Sequence, residues 1–416
     1  MASRWSQIPD HLLELITILL NLDDLVRFSC VCRPWRSHAT PLLVPNLNLI
    51  PWLIVPYGNY TCKIASNICD KTLGFFNIQD GKTYKIDTPQ LADRRICGSC
   101  SGGWLVTVHE NSEIQVYHPF SKKVIQLPPV TKLPGVTGCF IGRRNELYYV
   151  VPNRPHFSYR VLEMSTTTMS SSEVRERYIY KAIMSPSTGI VMVIQGRFRT
   201  LAVCRVGRVK KWYSVKGDIE GMYNDIAIYN REFYAVNDFG QVFVVSSVDS
   251  GRPVIKLVIS GPYGFDYCKS YLVECKGELL LLRRVCNNNC VTACFMINKL
   301  DFSGPRWVEV KHLNRGYVDD VGKDCAMFVG YNDSFCISTS SFTGYEEHSV
   351  YFTGDILKRG LSFASELQET IYGDLGVFNL KNDVIKRFFS KSFQPSPIWF
   401  TTNSFSSIQF LPHQIP

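Results

Sequence analysis

Asp225–Leu257 reads DIAIYNREFYAVNDFGQVFVVSSVDSGRPVIKL, and its punctuation decides the architecture of most of the chain. Four short runs, DIAIY, FYAV, QVFVV and VIKL, are rich in β-branched and aromatic residues. They are divided by Asn230-Arg231-Glu232, by Asn237-Asp238-Phe239-Gly240 and by a Ser250-Gly251 turn. Such runs, cut by Asn, Asp and Gly, are strands joined by tight turns, and four in succession make one propeller blade. The rhythm recurs in Gly103–Leu127 (WLVTV, EIQVY, VIQL), Tyr178–Val215, Lys269–Val310 and Cys325–Phe388. Gly74–Ile86 forms an incomplete first unit that a late strand at Ile398–Thr401 could complete, a closure that removes the last exposed sheet edges. The expected fold is an all-β propeller of about six four-stranded blades at a repeat of roughly 40–50 residues, give or take one blade. The margin comes from Leu133–Ser172, which holds the strand-like LYYVV but ends in the polar run Ser165–Ser172, read as an inter-blade loop.

Ser6–Ala39, SQIPDHLLELITILLNLDDLVRFSCVCRPWRSHA, has a helical period instead. Pro9 suits a first helical residue, and Asp10 follows near the positive end of the helix dipole. Leu12, Ile16, Leu19 and Leu20 fall on one side, while Leu13, Leu15 and Ile18 widen the apolar surface beyond a single stripe. Asn21, with Asp24 three residues on, begins a second helix through Val31 in capping-box manner. Leu25, Phe28, Val31 and Cys32 should point into the same small bundle. Pro34 opens a third short helix through His38 that carries Trp35 inward. A segment of about 35 residues is too small to bury so much apolar surface alone. The expected organisation is a three-helix module over 1–40, a linker with Pro41, Pro45, Pro51 and Pro56 over 41–60, and the propeller over 61–416.

Ile8-Pro9, Leu12-Leu13, Ile16, Leu19 and Asp24-Leu25, followed by Val31-Cys32-Arg33-Pro34-Trp35-Arg36, resemble an F-box position by position. Ile8 stands where that family more often has Leu, a nearly volume-conserving exchange. The resemblance implies a docking module for the Skp-type linker subunit of a cullin–RING ubiquitin ligase. Its residues would be Ile8, Pro9, Leu12, Leu13, Ile16, Leu19, Val31, Cys32 and Trp35, some as contacts and some as core. The plainer alternative is a helical cap packed on the protein's own sheets. Farther on, Gly98–Trp104 (GSCSGGW), Asn224–Gly240, Tyr271–Arg284 and His348–Asp355 resemble signature stretches of a plant family in which an F-box precedes a KIB-type propeller. The family's usual Asn-x-Ile-Tyr-Phe appears here as Ser349-Val350-Tyr351-Phe352. The resemblance implies a non-catalytic substrate adaptor in protein ubiquitination, with an unidentified target protein as its second partner.

Composition fits that class. The chain has 416 residues, 45% of them hydrophobic, enough for a large core and more than one domain. The net charge of +9 is concentrated between Arg143 and Lys216, where fourteen Lys and Arg face four Glu. A basic patch suits nucleic acid or an acidic partner, so the alternative function is a nucleic-acid-associated propeller using residues 143–216; a solvated face is the blander reading. Fifteen scattered cysteines point to thiols in a reducing compartment. No secretory pattern opens the sequence, and no run approaches the roughly 18 apolar residues of a membrane span. The expectation is an intracellular protein of cytoplasm or nucleus, without membrane attachment.

Motifs for chemistry are weak. Cys286-x₃-Cys290-x₃-Cys294 has metal-like spacing, yet Asn287-Asn288-Asn289 makes a hairpin tip, and zinc knuckles are tighter; buried thiols are expected. Cys97-Gly-Ser-Cys100 has redox spacing but precedes a strand, so no helix dipole activates it. The glycines of Gly98–Gly103 lack the helix and Lys of a phosphate loop and are read as a turn into a blade. Glu346-Glu347-His348 is the densest acid/base cluster and is read as turn-edge charge. No catalytic residue, cofactor or metal is expected. Tyr263, Phe265 and Tyr267 in GPYGFDY are the candidates for target contact, because loop tips around a propeller suit binding.

Overall fold

The Asn230-Arg231 turn takes positive φ at both residues, 49° and 66°, the left-handed geometry of a tight β-hairpin. The strands it joins belong to an antiparallel sheet of Tyr223–Tyr229, Glu232–Asn237, Val242–Ser246 and Val254–Ile259, in the order the turns predict. This computed structural model describes residues 8–20, 28, 31–39, 51–56, 72–143, 145–152, 165–207, 211–217, 222–248, 251–262, 269–312, 316–317, 322–340, 342, 344–355, 374–388 and 396–401. Two compact units divide the chain, one holding the N-terminal residues through Pro51, the other Trp52–Cys100 and Trp104–Phe400.

Seven sheets are formed by the described residues, numbered here in chain order. Sheet 1 is Trp52–Pro56, Thr72–Phe76 and Thr83–Asp87, with Ile398–Phe400 added at the edge. Sheet 2 is Arg94–Cys100, Trp104–His109, Ile114–His118 and Lys123–Leu127. Sheet 3 has three strands, Gly138–Ile141, Leu147–Pro152 and Thr166–Ser170. Sheet 4 is Ile179–Ser185, Ile190–Gln195, Thr200–Arg205 and Tyr213–Ser214, and sheet 5 is the Tyr223–Ile259 sheet. Sheet 6 runs from Lys269–Cys275 through Glu278–Cys286, Thr292–Asp301 and Arg306–His312 to Gly316–Tyr317. Sheet 7 orders Phe335–Ser338, Cys325–Val329, Ser349–Phe352, Gly376–Asn379 and Ile385–Arg387.

Successive sheets share cores, and the sharing closes on itself. Val191 and Val193 of sheet 4 pack with Val106 and Val116 of sheet 2. Met192 and Val203 meet Ile226 and Phe243 of sheet 5, whose Val236 and Val242 meet Leu279 and Leu281 of sheet 6. Leu280 and Ile297 face Met327 and Val350 of sheet 7, and Phe328 and Tyr351 face Leu53 and Trp399 of sheet 1. Ser99 of sheet 2 donates to the Trp399 carbonyl of sheet 1, which completes the circuit of a β-propeller. Tyr149 and Val151 of sheet 3 join the core shared by sheets 2 and 4.

Several expectations are corrected. Trp52–Pro56 is a strand inside the span read as linker; Trp52 pairs with Phe400 and Pro56 with Leu73, so Pro51 and Pro56 flank or end a strand. Cys97–Cys100 precedes the strand Trp104–His109 as expected, but it is itself the end of the strand Arg94–Cys100. Gly98 is there for close approach: a Cβ would stand 1.8 Å from the Ala182 carbonyl oxygen of sheet 4. The polar run Ser165–Ser172, read as an inter-blade loop, is instead mostly the strand Thr166–Ser170, paired antiparallel with Leu147–Pro152. In sheet 7, Cys325–Val329 and Ser349–Phe352 run parallel, a break in the simple meander.

Buried charges tie neighbouring sheets together. Arg95 donates to the Ile179 carbonyl at 2.7 Å, and Lys181 pairs with Asp225, which accepts from the Leu272 amide at 2.9 Å. Arg284, fully buried, reaches Asp355 at 3.0 Å and Asp374 at 2.8 Å and stands over the Phe352 ring at 4.6 Å. Burial alone would raise the Asp355 carboxyl, but Lys269 and Arg284 hold it below the ordinary carboxylate value.

Candidate functional site

The helix α1, Asp10–Leu19, is the first element of the N-terminal unit. Pro9 is its N-cap and not its first helical residue: ψ of 141° is extended, while the Pro9 carbonyl accepts from the amides of Leu12 at 3.0 Å and Leu13 at 3.3 Å. Asp10 therefore opens the first turn, where a carboxylate complements the dipole. His38 Nε2 lies 3.1 Å from Asp10 Oδ1 and links α1 to the helical residues 33–39.

The module's inward stripe is narrow. Leu13 is fully buried, and Thr17 beside it, 2% exposed, satisfies its hydroxyl by donating to the Glu14 carbonyl at 2.8 Å. Leu20 is half-buried, which gives a core line at positions 13, 17 and 20. Leu13 packs with Phe28 and Ala39, and Phe28 stacks on Trp35 with ring centroids 4.3 Å apart. Trp35 thus turns inward as expected. Val31 does not: it is 55% exposed, against the expectation that it points into the bundle, and it sits in a turn, its amide donating to the Phe28 carbonyl at 3.2 Å. Cys32 is half-buried. Most of the second expected helix, with Asn21, Asp24 and Leu25, lies outside the described residues; Phe28 is helical.

Everything else apolar on α1 faces out. Leu12 is 43% exposed, Leu15 60%, Ile16 38%, Ile18 69% and Leu19 85%. Ile8, Pro9, Leu12, Leu15, Ile16 and Leu19 line one shallow groove of about 310 Å³. Fully burying a side chain of this kind yields roughly 1.5–3 kcal/mol. The outward face therefore carries enough unused hydrophobic free energy to bind a partner. The nine candidate residues separate accordingly: Leu13 and Trp35 serve the core, Ile8, Pro9, Leu12, Ile16 and Leu19 line the groove, and Val31 and Cys32 stand apart from it. Leu15 and Ile18 are the positions absent from the candidate set. The buried Thr17 is the signal that could have found them, because it fixes which way the helix is turned.

The remaining candidates dissolve or fall elsewhere. Tyr263, Phe265 and Tyr267 lie outside the described residues. Among the described residues, bases of the 143–216 window pair with acids beyond it: Arg175 with Glu110 at 2.8 Å, Lys181 with Asp225, and Arg199 with Asp238. Lys181 is also buried, so the surplus overstates the basic surface. At the Asn287–Asn289 hairpin tip Cys294 is buried, while Cys286 and Cys290 are only half-buried, against the expectation that all three are covered. Burial pushes the Cys97 thiol up to about 12 and raises Cys100 well above its ordinary value, which removes the thiolate a redox pair needs. Glu346 pairs with Lys386 at 2.5 Å, and His348 is buried beside Glu347.

Comparison with known proteins agrees with both halves of the chain. The F-box domain family matches residues 5–43, and the KIB1-4 β-propeller family matches residues 75–379. The F-box protein SKIP23 of Arabidopsis thaliana is 25% identical over 444 aligned positions, covering 96% of each chain. The F-box protein At2g26160 of the same plant is 22% identical over 371, covering 85% of this chain and 96% of that one. Among solved structures, a computationally designed protein, Ika8, aligns over 85% of this chain and 97% of its own at 8% identity with a TM-score of 0.37, too slight to add to the argument.

Proposed function

The chain belongs to the KIB1-4 β-propeller family and carries an F-box, and from that premise we propose that it is the substrate-recognition subunit of an SCF-type cullin–RING E3 ubiquitin ligase. F-box proteins generally act as SCF substrate adaptors, and an F-box implies an Skp1-type partner. In this reading three helices over residues 1–40 dock the linker subunit, and the propeller holds a target protein for ubiquitin transfer by the rest of the complex. The chain itself performs no catalytic step, needs no cofactor, and works inside the cell. Among the described residues no helix is long and apolar enough to cross a membrane.

The observation that carries the proposal is the outward face of α1. Leu12, Leu15, Ile16, Ile18 and Leu19 are left uncovered by a core built on Leu13, Phe28 and Ala39. A helix presenting anchors at such spacing is a common recognition mode for a grooved or helical partner. We count sheets 1, 2, 4, 5, 6 and 7 as six blades and sheet 3 as an insertion, a count supported by the direct packing of Gly98 of sheet 2 on Ala182 of sheet 4. The test is reconstitution: the full chain mixed with a Skp-type linker and its cullin is expected to elute as one stoichiometric complex. Separate elution of all components would contradict the adaptor role.

A further inference from the structure

Three cysteines distant in sequence meet between sheets 6 and 7. Cys275 ends the strand Lys269–Cys275, Cys325 begins Cys325–Val329, and Cys336 is the second residue of Phe335–Ser338. In the antiparallel register Cys325 opposes Ser338 and Met327 opposes Cys336, so Cys325 and Cys336 share one face of sheet 7. That face looks into the core to which Cys275 contributes. The Sγ atoms of Cys275 and Cys325 are 3.5 Å apart and those of Cys275 and Cys336 2.6 Å apart, with all three within 4.8 Å of one another. Cys275 and Cys325 are buried and Cys336 is half-buried, so Cys336 is the most accessible of the three.

We propose that Cys275, Cys325 and Cys336 form a three-thiolate site for a thiophilic d¹⁰ metal ion, zinc(II) or copper(I). Thiolates select these ions over hard cations, and among the described residues no imidazole or carboxylate joins the cluster. Three sulfurs converge where a disulfide would employ two and leave the third packed against it with no role. Ligands on rigid strands of two sheets are already gathered, so binding needs little ordering. With a Zn–S bond of about 2.3 Å the sulfurs sit roughly 3.8 Å apart, and a side-chain rotation at the half-exposed Cys336 supplies that opening. Binding releases the three thiol protons. The ammonium of Lys276, held by the Lys323 carbonyl at 2.7 Å, stands beside Cys325 and offsets the negative charge, more completely for zinc(II) than for copper(I). Three ligands without a fourth favour the trigonal habit of copper(I) or leave one open position on zinc(II). The two ions thus share one chemistry and differ in a measurable way. The bound ion would cross-link sheets 6 and 7.

The test uses the reduced full chain. Zinc sulfate is titrated against a chromophoric zinc chelator, and copper(I), in a separate anaerobic arm, against a copper(I)-specific chelator. One equivalent of one ion per chain is expected, with affinity falling at least about a hundredfold in Cys325→Ser and in Cys336→Ser and unchanged in Cys139→Ser, an exposed cysteine elsewhere. A second measurement avoids substitution: the same ion should shield Cys336 of the unaltered chain from alkylation. Uptake of neither ion, affinity in the Cys325 and Cys336 variants equal to that of the unaltered chain, or a Cys275–Cys336 disulfide that forms in place of metal uptake would overturn the proposal.

Discussion

Two leucine-rich runs of similar composition meet opposite fates. In ELLLLRRV, residues 278–285, Leu279–Leu282 are at most 1% exposed. In HLLELITILL, residues 11–20, only Leu13 among the apolar side chains is fully covered, while Ile18 and Leu19 are 69% and 85% exposed. The difference is one of neighbours. A strand flanked by other sheets on both faces buries both alternating sets of side chains, so a continuous apolar run is what it needs. A helix in a small module has a neighbour on one side only. Even the charges that follow the strand's leucines are sealed: Arg284 is held by Asp355, Asp374, Tyr271 and the Thr353 carbonyl. The propeller completes itself, and the F-box helix does not.

That contrast can be attacked from the propeller side, where every filled position should be costly to disturb. Arg284→Ala takes one of two cations from each of two buried carboxylates, leaving Asp355 with Lys269 and Asp374 with Arg387, and should cost about 3 kcal/mol in denaturant unfolding of the full chain. A loss under about 1 kcal/mol would mean that the network between sheets 6 and 7 is ornamental. Gly98→Ala places a methyl against the Ala182 carbonyl oxygen and should cost about 1–3 kcal/mol, because backbone cannot swing aside as a side chain can.

A smaller effect, of opposite sign, sharpens the comparison. Burial lifts the Asp333 carboxyl to about 7, with Lys181 opposing the shift and Asp225 and Glu274 adding to it. A carboxyl whose folded value is raised binds its proton more tightly in the native state, so stability falls as pH rises from the ordinary carboxylate range through 7. Asp333→Asn removes that loss. It should stabilise the chain by about 1–2 kcal/mol at pH 8, below the full linkage value because the residue is only half-buried, with the gain vanishing near pH 4. Denaturation midpoints at the two pH values check it.

Much of this contrast was legible in the sequence. The Asn-Arg turn and the alternating runs around it placed sheet 5 strand by strand, and the apolar excess of residues 12–19 announced a face that the module could not cover. Trp52–Pro56 was hidden because prolines at both ends mimic a linker; what makes it a strand is its pairing with Phe400, more than three hundred residues away. The charges inside apolar strands, Lys181, Asp225 and Arg284, stood in plain view, but their partners come from other sheets and no local pattern pairs them. The cysteine trio shows the same limit from the other side. The regularly spaced Cys286, Cys290 and Cys294 are not gathered, whereas Cys275, Cys325 and Cys336, with no spacing to notice, are. On α1, helical spacing showed how wide the apolar surface was but not its rotation, which the buried Thr17 sets.

The central claim is that the outward face of α1 belongs to another protein. It is tested most directly by calorimetric titration of a Skp-type linker into the full chain and into Leu12→Asp/Ile16→Asp. The unaltered chain should bind with a negative heat-capacity change, the mark of apolar burial. The variant should bind at least about a hundredfold more weakly, the loss of two apolar anchors, while its propeller unfolds within about 0.5 kcal/mol of the unaltered chain. Binding of the variant within about threefold of the unaltered chain would contradict the account.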